Sequence, residues 1–140
     1  MNYIFEIELE VRDYECDIQG IVNNSVYQNY FEHARHKFLH SVDLDFAELH
    51  NQGFDGVVTN VDIAYKNSLV SGDSFIVKIA LEKQGHLRMI FNQDIIHKET
   101  GKLMARGKIT TVFKSNGRPV KPDIFVDALR TKGIDFKETV

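Results

Sequence analysis

Between Ser25 and His40 the large apolar residues Tyr27, Tyr30, Phe31, Ala34 and Phe38 recur at spacings of three and four, and this one stripe limits the possible folds more than any other feature. It predicts a helix with a single aromatic-rich face, roughly 24 Å long at about 1.5 Å per residue, with Asn23 or Asn24 as its cap. Nearly everything else follows the other period. Val57, Thr59, Val61, Ile63 and Tyr65 alternate with Val58, Asn60, Asp62, Ala64 and Lys66. Alternation resumes in Phe75 to Leu81, in Leu87 to Ile95 and in Leu103 to Lys114, with turn signals at Gly72-Asp73, Gly85-His86 and Lys98 to Lys102. Before the helix, Tyr3 to Arg12 reads as a strand whose wet face carries Glu6, Glu8 and Glu10. Short helices are expected at Asp45–Gln52 and near Ile124–Arg130. One long helix with an apolar stripe has to bury it, and strands joined by short turns supply an antiparallel meander to bury it against. The expected architecture is α+β: an antiparallel sheet of five to six strands wrapped around one long central helix, residues 1–140 forming a single domain.

Bulk properties narrow the function. A net charge of -3 offers no basic footprint for nucleic acid. No stretch approaches the ~20 apolar residues of a membrane span, and the N-terminal residues carry charges where a signal peptide would be apolar. The lone Cys16 rules out an intrachain disulfide and fits a reducing, cytoplasmic setting.

The chemistry concentrates just before the helix. Asp17 lies about seven residues upstream of a helix start, which offers unpaired N–H groups and a partial positive charge. A carboxylate facing such a start supplies both needs of acyl transfer: a group that attacks, or activates water to attack, and a donor for the oxyanion. Gly20 lets the backbone come close there. The same spacing also suits a carboxylate that merely caps a turn or balances the helix dipole. Cys16 is a rival nucleophile, or a small buried hydrophobe. Glu32, His33, His36 and His40 cluster on the helix with two i,i+4 pairs, but no HExxH motif and no third ligand accompany them, so a polar helix face suits them and no metal is expected. Arg88, Arg106, Lys108 and Arg118 are candidate phosphate contacts, or solvated strand faces. There is no GxSxG, P-loop or GxGxxG motif.

The run from Tyr14 to Arg35, with Asp17, Gly20, Val22, Tyr27, Tyr30, Phe31, Glu32, Ala34 and Arg35 in place, resembles the signature of the 4-hydroxybenzoyl-CoA thioesterase-like family of hotdog-fold enzymes. Val57-Val58, Ile63, Tyr65, Gly72-Asp73 and later Ala105-Arg106-Gly107 with Thr110 and Val112 extend the resemblance over about residues 3–122. The resemblance implies an acyl-CoA thioesterase needing no cofactor, assembled as a homodimer or homotetramer with its site at the dimer interface. It puts the catalytic carboxylate on Asp17 and the oxyanion-binding amide on Asn24. It puts the acyl tunnel near Gly20, Tyr27 and, from the partner chain, the partner's Val58 and the partner's Thr59, and the nucleotide near basic residues such as Arg88. Many relatives carry a histidine where Ile21 or Asn24 stands here, so the implied mechanism centres on the aspartate. An acyl-carrier-protein (ACP) thioester is an alternative substrate, and a non-catalytic acyl-CoA-binding module is an alternative role.

Overall fold

The computed structural model describes residues Met1 to Val140. Strand β1 (Phe5–Glu10) leads through a 3-10 turn (Asp13–Glu15) into helix α1 (Asn24–Ser41) and the short helix α2 (Phe46–Asn51). Then come β2 (Phe54–Tyr65), β3 (Ser74–Gln84), β4 (Arg88–His97), β5 (Leu103–Ser115), β6 (Arg118–Val120), α3 (Asp123–Thr131) and β7 (Lys137–Thr139). The long strands are ordered β1-β3-β4-β5-β2 in one sheet, which curls around α1 as the alternation and the apolar stripe required.

Two features differ from the sequence reading. Only β3, β4 and β5 form a meander, because β2 pairs with β5 and so occupies the far edge, away from β3. Period-2 alternation tells which face of a strand is wet but not which strand lies beside it. The connection Lys66 to Asp73 can span roughly 25 Å, enough to cross the end of the sheet. Secondly, β6 and β7 add two three-residue strands, and β7 runs parallel to β3 at Glu82 to Gln84, beyond the point where β1 stops pairing.

The helix stripe is the centre of the core. Tyr27, Tyr30, Phe31, Ala34, Phe38 and Leu39 are all buried against inward residues of the sheet such as Phe75, Ile79, Phe91 and Ile109. A fully buried side chain the size of Phe38 contributes about 1.5–3 kcal/mol. The helix sits close because β5 carries Gly107 beneath Phe31, where a Cβ would lie 3.0 Å from the ring. On the opposite face Asp94 is buried under Arg106, which donates from Nε and Nη2 at 2.8 and 3.1 Å, and under the hydroxyl of Tyr3. Burial, together with this carboxylate, pushes the Tyr3 phenol up to about 12. Arg106 is therefore committed to holding β4 and β5 together.

Candidate active site

The segment between β1 and α1 is a tight hairpin tied down along its length. Asn23 N donates to Glu15 O at 3.0 Å, Cys16 bridges Val22, Asp17 N donates to Ile21 O at 2.9 Å and Gly20 N to Asp17 O at 3.0 Å. Gly20 takes φ +81° at the tip, a conformation that side chains disfavour. Glu15 clamps the base: its Oε1 accepts from Tyr30 Oη at 2.9 Å and from Arg12 N at 2.8 Å. The second side is fixed to the β2–β3 connection, with Val22 N donating to Leu69 O and Ile21 bridging Val70. Leu69 N in turn donates to the Tyr27 hydroxyl at 3.2 Å. Burial raises the Tyr27 and Tyr30 phenols above their ordinary value, so both remain neutral anchors.

Asp17 stands half-buried on this hairpin, opposite Ile21, which lies three residues before the Asn24 that opens α1. Its Oδ1 accepts from Gln19 N at 2.8 Å, and its other oxygen has no donor in the chain. At the helix start, Asn23 is the cap: its Oδ1 takes the Ser25 N–H at 3.1 Å and its carbonyl takes the Val26 N–H at 2.9 Å. The Asn24 N–H, first in the helix, has no acceptor, and the Asn24 carbonyl accepts from the Tyr65 hydroxyl at 3.2 Å. An unsatisfied amide at the positive end of a helix is a donor awaiting an anion.

Within one protomer, then, Asp17 and Gly20 stand towards the tip of the hairpin, Asn24 follows its base at the start of α1, and Tyr27 is buried one turn into the helix. Val58 and Thr59 do not join them: they lie roughly 20 Å further along β2 from Tyr65. Thr59 is the extra residue of a bulge in the β2–β5 ladder, its Oγ1 reaching Thr110 O at 3.4 Å. Arg88 opens β4 at the end of the sheet opposite the hairpin, opposite Gln84 and Val112. Cys16 is half-buried and packs against the core. Glu32 and His36 face each other at 3.7 Å on the exposed side of α1.

Sequence reasoning missed Glu15, Tyr65 and Leu69, which anchor the hairpin and the helix start through contacts distant in sequence. It also passed over a polar pair inside the fold. Arg35 Nη1 donates to Gln93 Oε1 at 3.0 Å, and Gln93, 0% exposed, donates from Nε2 to Phe31 O at 3.0 Å. The available signal was an arginine four residues after Phe31, on the edge of the apolar stripe.

Comparison with known proteins places the fold in a family. Residues 11–130 match the family model of the Thioesterase-like superfamily. The chain is 33% identical over 137 residues to a chloroplastic acyl-acyl carrier protein thioesterase of Arabidopsis thaliana, covering 97% of this chain and 70% of that one. It is 30% identical over 108 residues to the long-chain acyl-CoA thioesterase FadM of Escherichia coli (strain K12), covering 76% of this chain and 80% of that one. Its fold superposes on the crystal structure of a 1,4-dihydroxy-2-naphthoyl-CoA thioesterase from Synechocystis with a TM-score of 0.86, covering 94% and 98% of the two chains at 18% identity.

Proposed function

The chain belongs to the Thioesterase-like superfamily and is a thioester hydrolase of the hotdog fold, and from that premise we propose that Asp17 and the Asn24 amide are its catalytic pair. The observation that supports this reading is that the hairpin and the helix start that follows it each leave one group unspent: a carboxylate oxygen of Asp17 without a donor and the Asn24 N–H without an acceptor. The thioester carbonyl oxygen lies on the Asn24 N–H. Asp17 attacks the carbonyl carbon, or takes a proton from the water that attacks it. The C–S bond then breaks and the thiolate leaves, taking a proton from solvent or from the protonated Asp17. Where Asp17 itself attacked, water next hydrolyses the acyl-aspartyl anhydride, and in either case the acid is released and the carboxylate restored. The helix dipole and the amide stabilise the oxyanion, an effect worth roughly 3–4 kcal/mol per donor in comparable sites. Gly20 and Tyr27 border the entry of the acyl group.

The second half of the site comes from a second copy. β2 is a twelve-residue edge strand with no neighbour on its outer side, and it exposes Val58 (43%), Val61 (38%) and Tyr65 (46%). Such an edge is normally covered or paired. Antiparallel pairing of β2 with its symmetry mate about a two-fold near Val61 sets the partner's Val58 and the partner's Thr59 opposite Ala64 and Ile63. That is beside Tyr65, whose hydroxyl touches the helix start. Val61→Lys is expected to convert the dimer to a monomer in light scattering and to remove most activity. A variant that stays dimeric and active would exclude this edge as the interface.

No helix is long and apolar enough to cross a membrane. Two thioester classes fit: acyl-CoA, as for the Escherichia coli relative, and acyl-ACP, as for the Arabidopsis one, whose likeness runs over nearly the whole chain. A panel of matched acyl-CoA and acyl-ACP esters, assayed for free thiol, tests the reading. Hydrolysis of either class is expected. Binding of both without release of thiol would make the chain a carrier instead of an enzyme.

A further inference from the structure

A groove lies along α1, between the helix and β2, from the level of Gln28 onwards. Its near part, about 230 Å³, is walled by Gln28, Phe31, Val61, Ile63 and Ile109. Its far part, about 440 Å³, is lined by the apolar Leu39, Phe46, Phe91 and Phe113, and by a set of charged side chains. Glu32, Arg35 and Val58 belong to both parts, so the two adjoin at these side chains.

The charges in this groove are not evenly matched. Glu32 faces His36 at 3.7 Å, and Asp55 meets His50 Nδ1 at 2.6 Å, so each acid has its nearest basic partner in a histidine and neither bonds Arg35. Arg35 has no carboxylate within 4.0 Å; its one bond is the neutral contact to Gln93. A guanidinium carries five donors, and no wholly buried side-chain donor lacks a partner, so the uncommitted ones open into the groove. Burial lowers the Arg35 pKa from its ordinary value, and the nearby Glu32 opposes this only in part. Gln93 fixes where the guanidinium sits. It is itself buried and bonded to Phe31 O, so the head of Arg35 lies one turn back along α1, near the level of Phe31. That is seven residues from Asn24, roughly 11 Å along the axis, or about eight bonds of an extended carbon chain.

We propose that Arg35, positioned by Gln93, selects acyl groups whose far end carries a carboxylate, bound in the α1–β2 groove about 11 Å from the thioester carbonyl. The proposal rests on the thioesterase reading above, because it takes Asn24 as the other end of the measure. An apolar tail passes Phe31, Val61, Ile63 and Ile109, and its terminal anion meets the uncompensated guanidinium in two-pronged fashion. An unsubstituted tail instead leaves Arg35 both unpaired and shut from water, which costs affinity.

Octanoyl-CoA and its ω-carboxy counterpart, suberoyl-CoA, form the test. Wild type is expected to favour suberoyl-CoA at least tenfold in kcat/KM. Arg35→Leu is expected to reverse that preference by raising KM for suberoyl-CoA more than tenfold and leaving kcat for octanoyl-CoA within about threefold. Arg35→Lys, which keeps the charge but not the paired geometry, is expected to fall between and serves if the leucine variant does not fold. Hydrolysis of both esters with the same ratio in wild type and variants overturns the role of Arg35 while leaving the thioesterase intact. If neither CoA ester is hydrolysed, acyl-CoA fails as the substrate class, separately from the role of Arg35. Calorimetry with the same two esters then decides: tighter binding of suberoyl-CoA that is lost with Arg35 supports the site, and equal binding overturns it.

Discussion

Replacing Asp17 by asparagine is expected to lower kcat/KM for an acyl-CoA ester by at least ~10²-fold with little change in melting temperature. The two halves of that expectation come from different atoms. What the hairpin needs from residue 17 is its backbone N–H to Ile21, its carbonyl for Gly20 and one side-chain oxygen to accept from Gln19 N. Asparagine keeps all three. What it lacks is the negative charge on the second oxygen, which nothing in the chain uses structurally. A surface substitution that preserves such contacts usually changes stability by less than about 0.5 kcal/mol. A large loss of rate in an undisturbed fold therefore separates a reacting carboxylate from one that only caps a turn. Asparagine and aspartate enzymes of equal activity would return Asp17 to the second role. Thiol release across a substrate series, with melting curves on the same preparations, makes the comparison.

The elements carried in local pattern were legible beforehand; the partnerships between them were not. The stripe from Tyr27 to Phe38 named the buried face of α1 residue by residue, because a three-to-four spacing has only one geometric reading. Asp45 and Gly53 bounded α2 in the same way: the aspartate accepts from Ala47 N and Glu48 N, and the glycine takes φ +81° beyond the helix end. The position of β2 at the far edge was not written in its alternation, since Val57 to Tyr65 would alternate identically beside β3. β7 is too short to show any period, and its pairing depends on β1 beginning only at Phe5, opposite Ile79, which leaves the β3 edge open from there to Gln84. The site divides along the same line. Asp17 and Gly20 could be proposed because a loop and a helix start are neighbours in sequence, and Asn24 was proposed from the family resemblance. Glu15–Tyr30 and Arg35–Gln93 were not, because a hydrogen bond across 15 or 58 residues leaves no trace in spacing.

The most direct trial of the oxyanion donor is Asn24→Pro, expected to lower kcat by about 10²–10³-fold while Asn24→Ala stays near wild type. Proline deletes the one group under test, the N–H of residue 24, and this position tolerates it for three reasons. Residue 24 is the first of the helix, where the N–H has no intrahelical partner and the fixed φ of proline is already helical. The preceding residue, Asn23, has φ -63° and ψ 137°, the extended conformation that a residue before proline prefers. The carbonyl that accepts from Tyr65 Oη is retained, as are the cap bonds from Asn23 to Ser25 and Val26. Circular dichroism should therefore show an unchanged helix. Alanine removes the side chain and keeps the amide, so it reports on everything at the position except the donor. If the amide holds the developing oxyanion, the two substitutions diverge in kcat with similar KM, because the bond is made mainly in the transition state. If proline and alanine behave alike, the free N–H at the start of α1 plays no part in the reaction, and the carboxylate of Asp17 would have to act without the helix that makes its position meaningful.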